Sequence, residues 1–345
     1  MGVENPMARS KNSGRLIHAF LLTDKSSFQR EQAHSAQLIA LQEGFKLVVH
    51  YAESDALRQI QQMFASIHAK DGPRPDAILV EAASGNGMQR VARNALRNGI
   101  AWAVINGDTG YLADLRAEHP GQAVFSVAVD NLRAGQLQGE QLLEIVGQDA
   151  ATVLCVQGPH GSPAARDRLN GLETVLAGSR IKVMCVTSDW TRDAARDAVN
   201  GWLRSSSLKL DAVVGQNDEM AEGARGALLD SFGPERLREI TFLGCDGMAR
   251  EGQVLVDRGL LAATVITPLP SEAAMDAFAS FFRDRTLPAE RILVRPRAYP
   301  SLGTKRAPDV RVSVPDVVAP RAAPTVERLA RATWRQRPRG LVTTI

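Results

Sequence analysis

Polar and aromatic residues that could hold a small ligand follow the ends of apolar segments along this 345-residue chain. Trp190 comes after one such segment, Gln216-Asn217-Asp218 after the next, and Asp246 after a third. An aromatic ring can cover the C–H face of a sugar, while carboxylate and amide groups complement its hydroxyls with acceptors and donors. These residue types therefore favour a polyhydroxylated ligand over an apolar one.

The sequence contains no complete motif for catalysis or cofactor binding. Gly85-Asn86-Gly87 follows an apolar segment, but Arg90 stands where a dinucleotide-binding motif needs its third glycine. No G-x-x-x-x-G-K-[ST] loop occurs, and Ser162 lacks the following glycine of a nucleophile elbow. The six histidines have no metal-ligand spacing. We therefore expect no enzyme activity, no cofactor and no metal.

The elements that must position these residues alternate between apolar and amphipathic stretches up to about residue 282. The first part of the chain predicts strands at 16–23, 46–51, 77–80 and 101–106, and helices at 28–43, 55–69 and 88–98. The second part predicts strands at 123–129, 151–157, 182–187, 212–215, 240–244 and 262–267, and helices at 132–146, 169–176, 194–204, 220–229, 250–258 and 271–283. This alternation predicts two α/β lobes, each with a parallel sheet of five or six strands between layers of helices.

Charge is distributed unevenly along the chain. Residues 295–345 hold eleven Arg or Lys against three acids, so that the net charge of +3 divides into a tail of +8 and a body of −5. The body therefore lacks the positive charge that direct nucleic-acid binding needs. The tail also holds seven prolines, which predicts a flexible, solvated extension. A docking or nucleic-acid-binding arm is the alternative for the tail.

The cysteines and the chain start give further expectations. Cys155, Cys185 and Cys245 each lie within an apolar run without CxxC spacing, so we expect small buried residues and no disulfide framework. No apolar run approaches the roughly 18 residues that a membrane span needs. The first residues also lack the apolar core and cleavage site of a secretory signal.

The run Gly215-Gln216-Asn217-Asp218-Glu219-Met220-Ala221 resembles the signature of the type I periplasmic sugar-binding proteins, and of the ribose-binding branch in particular. Four further segments agree in order and spacing, at 129–131, 158–168, 244–247 and 259–265. The resemblance covers about residues 14 to 300. It implies two similar doubly wound parallel-sheet lobes that are joined by a three-strand hinge and close on a ligand.

The resemblance also implies a division of the chain into parts. The N-terminal lobe is expected to hold residues 14–129 and 268–285, and the C-terminal lobe residues 130–267 and 286–300. Residues 1–13 would then form an N-terminal extension, and residues 301–345 the basic tail.

Five site residues are implied by direct matches to the family's ligand contacts. Arg168 matches the arginine that grips the ring and anomeric oxygens, and Asn217 and Asp246 match the amide and carboxylate that hold other hydroxyls. Trp190 and Phe28 match the aromatic residues on either face of the sugar ring. For both aromatic residues, ordinary packing is the alternative.

Other positions depart from the pattern of the ribose binders. Glu81 stands in place of an asparagine, Asn106 with Gly107 in place of an Asp-Arg pair, Thr267 in place of a glutamine, and Gln29 in place of a second aromatic residue. These changes imply a ligand other than ribose. Residues close enough in sequence to contribute are Lys25, Ser26, Asp108 and His160. Asp130 and Asp218 each open a predicted helix and are expected to cap it.

The resemblance implies a non-catalytic protein that captures a monosaccharide or related polyol for an ABC sugar importer or a receptor. It implies a periplasmic location if the start is trimmed or misassigned, and a cytoplasmic location if the sequence is complete as given. The alternative function is an intracellular sugar-sensing domain, because lac-repressor-type regulators share the fold. Only about 14 residues precede the first predicted strand, too few for a helix-turn-helix motif.

Overall fold

The computed structural model describes residues 12, 14–70, 72–107, 109–206 and 208–304. Its strands are β1 (Leu16–Leu21), β2 (Lys46–Tyr51), β3 (Ala77–Val80), β4 (Ala101–Ile105), β5 (Val124–Val129), β6 (Thr152–Gln157), β7 (Lys182–Thr187), β8 (Ala212–Gly215), β9 (Thr241–Leu243), β10 (Thr264–Ile266), β11 (Arg291–Val294) and β12 (Arg297–Tyr299). Its helices are α1 (Ser27–Glu43), α2 (Ala56–Ile67), α3 (Met88–Arg97), α4 (Leu112–Glu118), α5 (Asn131–Val146), α6 (Pro163–Leu176), α7 (Arg192–Ser205), α8 (Asp218–Leu237), α9 (Gly252–Asp257) and α10 (Pro270–Asp284). None of the helices in this described part combines the length and apolar character of a membrane span.

The first lobe is built on a sheet of six parallel strands in the order β11-β5-β4-β3-β1-β2. β3 and β4 lie at its centre, and every residue of both strands is buried. Their apolar residues do not alternate with polar ones because helices cover both faces of the sheet. α1 and α10 pack on one face around Phe278, and α2, α3 and α4 pack on the other around Trp102.

The second lobe repeats this arrangement with a shorter sheet. Four parallel strands lie in the order β7-β6-β8-β9, and β10 pairs antiparallel with β12. Single bridges, Leu243 with Ala263 and Asp246 with Ile266, connect the two groups of strands. α5 and α6 cover one face, and α7, α8 and α9 cover the other.

The chain crosses between the lobes three times. The crossings run from β5 to α5, from β10 to α10, and from β11 to β12. The structure therefore confirms the predicted fold class, an α/β protein with two similar doubly wound lobes and a three-strand hinge.

The segment after α10 differs from the sequence-based expectation. Residues 286–300 were expected in the C-terminal lobe, but β11 pairs with β5 of the first sheet, while β12 pairs with β10 of the second lobe. Without β11, β5 would be an unpaired edge strand of the first sheet. The apolar residues Ile292 and Val294 of β11 pack against the core along that edge. The third crossing therefore lies between residues 294 and 297.

One cysteine also differs from its expected burial. Cys155 and Cys245 are buried as expected, whereas Cys185 is exposed. Cys185 lies on β7, an edge strand on which every residue is exposed or half-buried. A small apolar run on an edge strand is therefore not sufficient evidence of burial.

Three of the sequence-based expectations fall on residues outside the described part of the chain. These are Asp108 as a site residue, the extension at 1–13 apart from Asn12, and the basic tail apart from its first four residues, 301–304.

Candidate functional site

A polar cluster lies at the carboxyl end of the first sheet. Glu81 follows β3, Asn106 follows β4, and Gln29 lies in the first turn of α1. Nε2 of Gln29 donates to one oxygen of Glu81 at 2.9 Å, and Nδ2 of Asn106 donates to the other at 3.4 Å. Burial raises the pKa of Glu81 to about 7, although both amide donors favour the charged carboxylate. The fold thus brings together three of the residues that the resemblance implied.

Arg168 is the centre of a second cluster, at the carboxyl end of the second sheet. Nε of Arg168 donates to Oδ1 of Asn131 at 2.9 Å, Nη2 donates to the Asp246 carboxylate at 3.2 Å, and Nη1 donates to the carbonyl oxygen of Gln216. Arg168 is only 6% exposed, and its guanidinium carbon lies 5.7 Å from the centre of the Trp190 ring. The protein therefore orients the planar guanidinium from several directions at once.

The helix that carries Arg168 packs very closely against α5. A Cβ atom on Gly135 would overlap the backbone of Arg168, and a Cβ atom on Gly171 would overlap the carbonyl oxygen of Leu132. Glycine at both positions lets the two backbones touch. This contact fixes the position of Arg168 relative to Asn131 at the start of α5.

Two buried carboxyl groups act on the charge of Arg168. Asp246 pairs with it directly, and Asp218 accepts from the amide of Gly247 at 2.7 Å and from the hydroxyl of Thr264 at 2.6 Å. Burial raises the pKa of both acids, and the charge of Asp246 further raises the pKa of Asp218. One guanidinium thus faces two carboxyl groups.

The helix caps agree with the expectation at Asp130 and differ from it at Asp218. Asp130 caps α5 by accepting from the amide of Arg133 at 3.0 Å. At α8 the cap is Asn217, whose Oδ1 accepts from the amide of Met220 at 2.7 Å. Asp218 does not cap the helix, because donors from the loop after β9 and from β10 already satisfy its carboxylate.

Asn217 and Thr267 lie in this second cluster, and each donates a hydrogen bond to a backbone carbonyl oxygen of another cluster residue. Nδ2 of Asn217 donates to the carbonyl oxygen of Trp190 at 2.9 Å. The amide of Thr267 donates to the carbonyl oxygen of Asp246 at 3.0 Å. Both residues, which are themselves predicted ligand contacts, therefore also support the positions of Trp190 and Asp246.

Trp190 is held in a constrained conformation. Its φ is 75°, in the left-handed region that non-glycine residues rarely adopt, and its ring is half-buried. A Cβ atom on Gly158 would overlap the six-membered part of the indole ring. The loop after β6 therefore accommodates the ring only because residue 158 is a glycine.

A direct contact joins the two lobes at the edges where these clusters lie. The amide of Ser27, the first residue of α1, donates to Oε1 of Glu219 in the first turn of α8 at 3.1 Å. The hydroxyl of Ser27 donates to the same oxygen. The N-termini of α1 and α8 thus meet across the gap between the lobes.

The remaining predicted site residues are more peripheral. Phe28 is half-buried and directly follows Ser27. Ser26 precedes α1 without a capping bond from its side chain, and Lys25 is exposed and pairs with Glu53 at 3.2 Å. His160 is exposed in the loop after β6.

Three residues that organise these clusters have no site role among the sequence-based expectations, namely Ser27, Asn131 and Glu219. Gln216 is expected only as a polar residue beyond a strand end. Asn131 and Gln216 directly follow the ends of strands by one or two residues, which is the same signal that identified Asn217. Gln216 is buried, accepts from the amide of Gly158 at 3.0 Å, and donates to the carbonyl oxygen of Ala165 at 2.8 Å. No local pattern indicates that Ser27 meets Glu219.

Within the described residues, no group of three or more His, Cys, Asp or Glu side chains could hold a metal ion. The donors and acceptors of the two clusters are instead amides, carboxylates and a guanidinium beside an aromatic ring. This set of groups can bind a neutral or charged polyhydroxylated molecule.

Comparison with known proteins identifies the family. Residues 19–277 match the family described as the periplasmic binding protein domain. The chain belongs to this family of solute-binding proteins, as the sequence resemblance implied. Family membership also agrees with the expected absence of enzyme activity.

Individual relatives match over part of their length. The xylitol-binding protein of Mycolicibacterium smegmatis is 28% identical over 210 residues, which is 60% of this chain and 56% of the relative. The ribose import binding protein of Escherichia coli is 30% identical over 173 residues, which is 50% of this chain and 55% of the relative. The matched region thus spans about half the length of these relatives.

Solved structures with the same fold cover more of the chain. A periplasmic solute-binding protein of an ABC transporter from Actinobacillus succinogenes, with bound D-allose, has a TM-score of 0.71 and 21% identity over 82% of this chain and 96% of its own. The binding protein of an arabinose ABC transporter from a Shewanella species has a TM-score of 0.69 and 22% identity over 83% of this chain and 92% of its own. These likenesses establish the fold.

Proposed function

We propose that this protein is a non-catalytic solute-binding protein that captures a monosaccharide or related polyol between its lobes. The observation that carries the proposal is the placement of two polar clusters, Glu81 with Gln29 and Asn106, and Arg168 with Asp246, at the carboxyl ends of the two sheets. In open α/β sheets, ligands bind at these ends. The contact between Ser27 and Glu219 joins the same two edges.

The proposed ligand contacts combine polar groups from both clusters with aromatic rings. Glu81, Asn106, Arg168 and Asp246 supply hydrogen-bonding groups, and Trp190 and Phe28 supply apolar surfaces. Asn217 and Thr267 complete the proposed set and also hold the backbone of the second cluster. Gln29 would orient Glu81, and Lys25, Ser26 and His160 would contribute from the rim of the site. Asp108 stays a proposed contributor that lies outside the described residues.

We further propose that the protein delivers its ligand to the permease of an ABC importer in the periplasm. The family name and the relatives, which are named as binding proteins, support this placement. Recovery of the native protein with the periplasmic fraction of its cells would support the transport role. Recovery in the cytoplasm would instead favour the sugar-sensing alternative, and co-purification with a receptor in place of a permease would identify a sensory partner.

The proposed lobes are residues 14–129 with 268–294 and residues 130–267 with 295–300. Limited proteolysis with and without ligand tests this division. Cleavage sites in the three crossings should become protected when the ligand closes the lobes.

Ligand binding can be tested by thermal denaturation in the presence of a panel of monosaccharides, alditols and cyclitols. A specific ligand at 100 times its dissociation constant raises the free energy of unfolding by about 2.7 kcal/mol. Isothermal titration calorimetry on each hit should give one site per chain. A panel that produces no stabilisation at millimolar concentrations would contradict the proposed function.

A further inference from the structure

Glu81 differs in its partners from Asp246, the buried acid of the second cluster that pairs with Arg168. Its carboxylate is held by two neutral amides, Nε2 of Gln29 and Nδ2 of Asn106. Among the described residues, no Lys, Arg or His nitrogen lies within 4.0 Å of its oxygens, whereas Asp246 lies 3.2 Å from the Arg168 guanidinium. The first-lobe cluster therefore contains an acid without a cation.

The cluster nevertheless orients Glu81 as a defined acceptor. The residue is 9% exposed, and each carboxylate oxygen receives one amide donor. The backbone on either side is also fixed, because the amide of Glu81 donates to Phe20 at 2.9 Å and its carbonyl oxygen accepts from Gln59 at 2.8 Å. A carboxylate can accept about four hydrogen bonds in total, so acceptor capacity remains for a ligand.

Burial makes a positively charged ligand group more favourable for Glu81 than a hydroxyl. A buried carboxylate loses its hydration, and a neutral donor recovers only part of that loss. An ammonium group adds the Coulomb attraction of a full positive charge to its hydrogen bond with the carboxylate, and this attraction is stronger in a site that excludes water. The raised pKa of Glu81 is consistent with a carboxylate that lacks a cationic partner.

We propose that Glu81 is a specificity-determining residue that selects polyhydroxylated ligands carrying a protonated amino group, whose ammonium pairs with the Glu81 carboxylate. This inference rests on the proposed function and narrows its ligand class. Gln29 and Asn106 act as positioning residues for the carboxylate. The second cluster, with Arg168 and Asp246, binds the hydroxyl groups of the same molecule.

Calorimetry with matched pairs of compounds tests the inference at one pH. The probes are D-glucose with D-glucosamine, D-galactose with D-galactosamine, and myo-inositol with a monoamino-inositol, all at pH 7.0. In the pair that binds best, the amino compound should bind wild-type protein at least tenfold more tightly than the hydroxyl compound. Equal binding, or tighter binding of the hydroxyl compound, would overturn the inference and leave the proposed function standing. Failure of every probe and of the wider polyol panel would overturn both.

A variant comparison assigns the preference to Glu81. Glu81→Gln keeps the shape of the side chain and removes its charge, and it should reduce the preference for the amino compound to about onefold. Glu118→Gln removes an acid of the first lobe that pairs with Arg93 and has no part in the proposed site, so it should retain the tenfold preference. A preference that persists in Glu81→Gln would contradict the inference. If Glu81→Gln does not fold, the comparison of the paired compounds on the wild-type protein still decides the question.

Discussion

Ser27 and Glu219, which are 192 residues apart in sequence, hold the N-termini of two helices together across the gap between the lobes. Glu219 accepts from both the amide and the hydroxyl of Ser27. α1 has no acid in its own first turn and no side-chain cap from Ser26. The carboxylate of the second lobe therefore supplies the anion that stabilises a helix N-terminus of the first lobe.

We predict that Glu219→Gln weakens ligand binding without contacting the ligand. The change removes a charged acceptor from a contact that joins the two lobes, so the state in which these helix N-termini meet loses stability relative to a more open state. The dissociation constant should rise about tenfold, mainly through faster dissociation, as measured by stopped-flow fluorescence.

The matched control for this variant is Glu222→Gln, one turn further along α8. Glu222 pairs with Arg192 within the second lobe and not across the gap. It should leave the dissociation rate nearly unchanged. Equal effects of the two variants would show that charge on α8, and not the contact with Ser27, determines the rate.

Arg168→Met should destabilise the protein as well as abolish binding. The substitution leaves Asp246 and Asp218 buried without their cation, and breaking a buried ion pair typically costs about 3–5 kcal/mol. Urea denaturation measures the loss of stability, and calorimetry measures the loss of binding. The double variant Arg168→Met, Asp246→Asn should recover part of the stability but none of the binding. Full stability of the single variant would contradict the buried pair.

Gly158→Ala should displace the ring of Trp190. The added methyl group overlaps the indole ring. The backbone of Trp190, which has a left-handed φ, cannot shift to relieve this overlap without disturbing the hydrogen bond from Asn217 to its carbonyl oxygen. We expect at least tenfold weaker binding and a shifted tryptophan emission spectrum. Gly161→Ala, in the same loop, meets no atom within 4 Å and serves as the control. The prediction fails if both variants bind like wild type.

Stability should fall in acid partly because of His18. Burial and the nearby charge of His50 lower the pKa of His18 to about 4 from 6.5. Between these values the unfolded chain binds more protons than the folded one, so this contribution is complete above pH 6.5 and decreases as the pH falls toward 4. Because His18 is only half-buried, the loss should be about 1–2 kcal/mol.

Urea denaturation at pH 7.5 and pH 4.5 measures this contribution in His18→Asn, which retains a polar side chain beside the Ser66 hydroxyl. The variant should lose less stability between the two pH values than wild type. His34→Asn changes an exposed histidine on α1 and should behave like wild type. An unchanged pH dependence in His18→Asn would assign the acid sensitivity to other groups.

The sequence predicts the central strands well because their burial leaves a clear pattern. β3 and β4 are unbroken apolar runs between helical stretches, and a run buried on both faces needs no tertiary information to be recognised. The sequence pattern predicts the start of α6 too late, at residue 169 instead of Pro163. The polar residues around Arg166 hide the helical period, although Ser162 and Pro163 form a typical helix start.

Contacts between the lobes could not be predicted in the same way. Strand ends identify Asn217 and Asp246, because topology brings such residues to one edge of a sheet. Ser27 and Glu219 meet only because three crossings set the orientation of one lobe relative to the other. β11 and β12 were missed because Pro296 separates two very short strands that take their partners from different sheets.

The backbone contact between α5 and α6 has a consequence for how the protein can move. At Gly135 and Gly171 the backbones of α5 and α6 are too close for either helix to slide along the other. Asn131 and Arg168 therefore move together as one rigid unit when the lobes move. Bending must then be concentrated in the three crossings. An arriving solute meets an arginine whose rotamer is already selected, and little side-chain entropy remains to be lost there when the complex forms.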